Sequence, residues 1–133
     1  MTEPEAAMTF AVWMILAAAV LPYLCTAAAK FGGSGYDNAA PRAFLSNLTG
    51  WRARADAAQR NAFEAFPPFA AAVLAAQFAH APQGRVDTLA AAFVGIRIAY
   101  SLAYVAGIPW LRTLLFGLGF LMVVLLFGTG AGA

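Results

Sequence analysis

Three long stretches of this chain lack a single charged side chain: Met8 to Ala29 (22 residues), Ala65 to Gly84 (20) and Thr113 to Ala133 (21). At about 1.5 Å of rise per helical residue, runs of this length match a hydrocarbon core of about 30 Å. A fourth stretch, Thr88 to Gly107, is apolar apart from Arg97 at its middle and a few hydroxyls. None of the four alternates polar with apolar positions as a membrane barrel strand must, and their alanine content favours helix. The sequence predicts an all-α integral membrane four-helix bundle. It would form one domain over 1–133, with spans at about 8–29, 60–81, 87–107 and 111–131.

Composition supports lipid as the solvent. The chain of 133 residues is 62% hydrophobic and 11% charged, whereas soluble domains are about a quarter charged. A short chain buries the smallest fraction of its surface, so a water-soluble fold could not hide this much apolar area. A net charge of +2 gives no basic face for nucleic acid. The single Cys25 excludes an internal disulfide framework and any CxxC metal or redox motif, and its apolar setting predicts a buried, inert thiol. Glu3 and Glu5 stand where a secretory signal carries basic residues, and the apolar stretch after them is too long for one. The first span is expected to be retained.

The connections differ in kind. Lys30 to Gly50 is long and broken by Gly32, Gly33, Gly35, Asn38 and Pro41. The polar segment after it predicts a second helix that starts near Trp51 and stands clear of the bilayer for about two turns, with Arg52, Asp56 and Arg60 spaced four apart. Ala81 to Asp87 and Gly107 to Pro109 read as tight turns. Lys30, Arg42, Arg52, Arg54 and Arg60 flank the first loop and Arg112 the third, against Arg85 alone on the opposite side. Cytoplasmic loops carry the excess of basic residues. The first and third loops are therefore expected in the cytoplasm and both termini across the membrane. Trp51 and Trp110 mark the same interface.

Polar groups inside the spans call for a reason, since an ionisable group there costs about 2.5–3.5 kcal/mol on insertion scales. Arg60, Asn61 and Glu64 share one helical face just before Pro67 and Pro68. Arg60 and Glu64 could form a membrane-edge ion pair. Arg97, Tyr100, Ser101 and Tyr104 form a stripe on the next span. Arg97 needs an acidic partner at that depth, and Glu64 is the carboxylate nearest to matching it. Tyr100 and Tyr104 also suit an interfacial aromatic belt, and Arg112 an interfacial snorkelling position.

These residues carry a resemblance. The stretch from Arg54 to Phe69, with Asn61 and Glu64 three apart ahead of Phe66-Pro67-Pro68-Phe69, is similar to the second-helix signature of the MAPEG family, membrane-associated proteins in eicosanoid and glutathione metabolism. Arg97-Ile98-Ala99-Tyr100-Ser101-Leu102-Ala103-Tyr104 resembles that family's R-x-x-[HY]-x-x-x-Y pattern on the third helix. Arg112 matches a further arginine near the start of the fourth, and the resemblance covers essentially the whole chain. It implies a four-helix subunit, a homotrimer, and glutathione as co-substrate between neighbouring subunits near the cytoplasmic side. By position, Asn61 and Glu64 would hold the glutathione backbone, with Glu64 near its amino group. Arg97, Tyr100 and Ser101 would belong to the same pocket and Arg60 would meet a carboxylate. Arg112 and Tyr104 would serve the reacting sulfur. A cation that stabilises a thiolate makes a thiol of pKa near 8.5 a better nucleophile, and arginine keeps its charge in such a site. Two positions depart from the pattern. Ala57 stands where the family has an arginine four residues before the Asn, leaving Arg60 or Arg54 to compensate, and Lys30 stands where an arginine often ends the first helix.

The expected activity is a glutathione-dependent transferase or peroxidase acting on lipophilic electrophiles. The alternative is a non-catalytic oligomeric membrane protein of the same fold, held by a structural Glu64–Arg97 bridge. A small-molecule transporter has less support, because no broken-helix repeat is present.

Overall fold

A computed structural model describes residues 7–132, which fold into five helices: α1 (Phe10–Phe31), α2 (Pro41–Ser46), α3 (Gly50–Phe78), α4 (Gln83–Ala106) and α5 (Pro109–Gly130). Glu3 and Glu5, read above against a secretory signal, lie outside the described residues. The expectation of four helices is corrected to five among the described residues, because Pro41 opens one short helical segment inside the first loop, where its fixed φ is already helical.

Among the described residues, α1, α4 and α5 are long and apolar enough to cross a membrane. α3 has the length, at 29 residues, but not the composition. Arg52, Arg54, Asp56, Arg60, Asn61 and Glu64 occupy its first half, and its apolar part follows Pro67 and Pro68. Both prolines lie inside the helix, as Pro22 does in α1. Each removes one N–H from the helical ladder, and neighbouring helices supply the packing that carries the chain past them.

α1 packs mainly on α3, and α4 mainly on α5, with α3 touching both α4 and α5. The centre is small-residue packing: Ala11 and Ala18 of α1, Ala72, Val73 and Ala76 of α3, Val86 and Ala90 of α4, and Val123 and Leu126 of α5. Phe69 and Phe93 stack within it at 4.0 Å with planes 6° apart. Small side chains let helix backbones approach closely, which is how helices associate in lipid without a hydrophobic driving force. A Cβ on Gly130 would come within 3.3 Å of the Ala76 Cα, so α5 and α3 nearly touch at that end.

Each end of the bundle has its own polar fastening. At one end, Asp87 Oδ1 accepts from the Ala11 backbone N–H at 2.9 Å and from Gln83 Nε2 at 2.7 Å, while Gln77 bonds both Gln83 and Thr9. Asp87 thereby serves an orphan N–H in the first turn of α1. At the other end, Arg52 donates to the carbonyls of Ala29 (2.9 Å), Lys30 (2.8 Å) and Ser34 (3.3 Å), and Arg54 donates to Val105 (2.9 Å). The Ala29, Lys30 and Val105 carbonyls close α1 and α4, where helical acceptors lack partners and a cation suits the dipole, and that of Ser34 belongs to the first loop. Gly32 lies under the Trp51 ring: a Cβ there would sit 2.1 Å from Trp51 Cη2. The first loop and the α4–α5 turn therefore belong to one end of the molecule.

Candidate functional site

The site is built where α3, α4 and α5 converge below the arginine-fastened end. Asn61 and Glu64 close the charged first half of α3 and lie three residues apart on it. Arg97, Tyr100 and Tyr104 descend one face of α4. Arg112 enters from the first turn of α5, brought there by a two-residue link. Gly107 takes φ 73°, its N–H bonding Tyr104 O at 3.0 Å, and Ile108 N–H bonds Ala103 O at 3.0 Å. A left-handed residue closing a helix is the usual place for glycine.

Two adjoining cavities open there. One of about 210 Å³ is lined by Asn61, Glu64, Ala65, Pro68, Phe93, Arg97, Phe116, Gly119, Phe120 and Val123. The other, of about 290 Å³, is lined by Asn61, Tyr100, Tyr104, Arg112, Thr113 and Phe116. Asn61 and Phe116 line both, so the two adjoin; together they are called the groove, with an apolar arm along α5 and a polar arm toward the loop end.

Arg97 is 3% exposed. Its Nη2 donates to Asn61 Oδ1 at 2.8 Å and its guanidinium lies 4.0 Å from the Tyr100 ring centroid. The Arg112 guanidinium lies 4.4 Å from the Tyr104 ring centroid, and the two tyrosines meet edge to face at 5.8 Å. A guanidinium within about 6 Å of an aromatic face gains from the ring quadrupole. Arg97, Tyr100, Tyr104 and Arg112 thus form a continuous ladder from the buried middle of α4 to the mouth of the groove.

Several expectations are corrected. Glu64 does not bridge Arg97: among the described residues it makes no ion pair, and it stands exposed at the groove edge. A neutral amide one turn earlier accepts from Arg97 instead, which avoids taking a second charge out of water. Nor does Arg60 pair with Glu64. It is 71% exposed and bonds Asp56 at 3.4 Å, four residues back along α3 and away from the groove. Arg54, a possible substitute for the arginine absent at Ala57, is committed to Val105 O. Ser101 is buried behind the stripe beside Cys25 and lines neither cavity. Cys25 itself is buried.

Of the eight residues singled out from sequence, six line the groove: Asn61, Glu64, Arg97, Tyr100, Tyr104 and Arg112. Arg60 and Ser101 do not. The sequence reading missed the apolar arm, above all Gly119. This glycine is buried, and a Cβ on it would lie 3.6–3.8 Å from Ile96, Phe93 and the Arg97 stem. The available signal was Gly119 itself, a small residue inside an apolar helix, where a neighbouring helix can approach closely.

In charge terms, the groove offers two guanidiniums and one carboxylate, with an amide and two phenols between them. Such a set suits a zwitterionic ligand bearing more carboxylate than ammonium. The apolar arm suits a lipophilic one. Comparison with known proteins returns one family model, described as the MAPEG family, which matches residues 10–132. No curated protein and no solved structure matches the chain.

Proposed function

The chain belongs to the MAPEG family, and from that premise we propose that it is a membrane-bound glutathione-dependent transferase or peroxidase acting on lipophilic electrophiles. The observation that carries this reading is the pair of adjoining cavities, one lined by Asn61, Glu64 and Arg97 and the other by Asn61, Tyr104 and Arg112. Glutathione has two carboxylates, one ammonium and one thiol. The donor set fits it: Glu64 suits the ammonium, while the guanidiniums suit carboxylate and sulfur. Bound there, glutathione supplies a nucleophilic sulfur.

The residues of the chain do the rest. Glu64, exposed at the groove edge and free of an internal ion pair among the described residues, holds a cationic group. Asn61 fixes Arg97, and Arg97 in turn sets which way the Asn61 amide N–H faces. Arg112 places positive charge beside the sulfur, where it favours thiolate over thiol. Phe93, Phe116, Phe120 and Val123 keep water from the apolar arm, which receives the electrophile from the bilayer. α3 is the fourth membrane crossing, through its apolar half, with its charged first turns at the cytoplasmic surface. Three copies assemble, and the groove edge on α3 and α5 lies at the subunit boundary. The first loop and the α4–α5 turn face the cytoplasm.

The test is a titration of the purified chain in nanodiscs with glutathione, followed by calorimetry and by thiolate absorbance. Saturable binding with a thiolate signal at neutral pH is expected. Absence of both at millimolar glutathione sinks the proposal.

A further inference from the structure

Tyr104 can serve the groove in two distinct ways, through its hydroxyl or through its ring, and the geometry favours the ring. Arg112 sits in the first turn of α5, where the helix dipole presents its positive end. A cation is disfavoured there, and no carboxylate among the described residues pairs with it. Its neighbours in the polar arm are neutral: Asn61, Thr113, Tyr100, Tyr104 and Phe116. What faces the guanidinium is the Tyr104 ring, 4.4 Å away. Arg97 repeats the arrangement one step deeper, 4.0 Å from the Tyr100 ring, and the two tyrosines brace each other edge to face.

We infer that Tyr104 is a positioning residue that holds Arg112 in the groove through its ring face, so that the guanidinium edge, with its N–H donors, is left for an anionic sulfur. The sulfur in that statement rests on the glutathione reading; the positioning of Arg112 does not. A guanidinium stacked on a ring keeps its in-plane donors free, whereas one bridged to a carboxylate spends them. The ladder therefore keeps two cations along the groove with no ion pair to either among the described residues.

Substitutions that separate ring from hydroxyl provide the test. The full chain is reconstituted in nanodiscs with isotopically labelled arginine, and the order of the Arg112 Nε–H is read by NMR with no ligand present. An ordered Nε–H in the unsubstituted chain and in Tyr104→Phe, and a mobile one in Tyr104→Leu, is the expected result. Equal order in all three overturns the inference, as does loss of order in Tyr104→Phe equal to that in Tyr104→Leu. Glutathione is then added and thiolate absorbance followed against pH. Tyr104→Leu is expected to need a pH higher by about half a unit to one and a half units for the same thiolate fraction, because the lost ring contact changes the equilibrium by about three- to thirty-fold. Tyr104→Phe is expected to recover most of that shift, and a shift as large as that of Tyr104→Leu would overturn the inference. An unsubstituted chain that binds no glutathione overturns the glutathione reading alone, since the ligand-free NMR comparison decides the positioning role by itself.

Discussion

Arg97 and Glu64 show how far side-chain chemistry at a single position could be read. Depth and charge selected both as groove residues, and both line the same cavity. The pairing between them was not legible, because helical spacing fixes which face a residue occupies but not which acceptor on a neighbouring helix comes within reach. Asn61 wins by geometry, at 2.8 Å from Arg97 Nη2. Replacing it, as in Asn61→Leu, leaves a buried guanidinium short of an acceptor. A loss of about 1.5–3 kcal/mol is expected, read as a lowered thermal midpoint of the detergent-solubilised chain. Glu64→Gln should behave oppositely. Glu64 is exposed and holds no internal ion pair among the described residues, so stability should stay within about 0.5 kcal/mol. Glutathione affinity should fall by about ten-fold, the worth of one charge-assisted contact. Calorimetry and thermal melting on the same sample distinguish the two effects.

At the scale of elements, the existence of the long helices followed from uncharged length, and the start of α3 at Gly50 from the polar run beginning at Trp51. The short α2 was hidden because six residues give no periodicity to read. The fastening of helix ends was hidden as well. Arg52 and Arg54 were counted as charges that orient the chain, yet both are spent on backbone carbonyls of α1, the first loop and α4. Arg52→Leu should therefore cost about 1.5–3 kcal/mol and expose the loop between 32 and 49 to protease, measured as a faster cleavage rate in reconstituted vesicles. Gly107→Ala should also destabilise, by about 1–2 kcal/mol, because φ 73° is a left-handed conformation that a Cβ resists. It would also move Arg112 relative to Tyr104. A weakened thiolate signal in Gly107→Ala, with Arg97 still bonded to Asn61, would be the sign.

The whole molecule is an apolar bundle with a belt of exposed aromatic and aliphatic side chains, among them Trp13, Leu16, Leu102, Leu118, Phe120 and Leu125. Water does not tolerate such a surface, and lipid or a second copy of the chain does. Sidedness is a property of this scale, since it depends on the sum of basic residues at each end. In a Cys25→Ser background, a cysteine introduced as Ser46→Cys in α2 should react with a membrane-impermeant thiol reagent in inverted vesicles and stay unlabelled in intact cells. Labelling from outside would reverse the orientation. The near contact of Gly130 with Ala76 bears on how the groove can open. α5 is pinned there and carries Arg112 some 18 residues away, or about 27 Å along the axis. A tilt of α5 by about 5° around that pivot would carry the guanidinium by roughly 2 Å while hardly disturbing the pinned end. In mechanical terms the helix is a lever whose fulcrum lies at one surface of the bundle and whose working end lies at the other, so a small rotation about Gly130 becomes an ångström-scale displacement where the chemistry is proposed to occur.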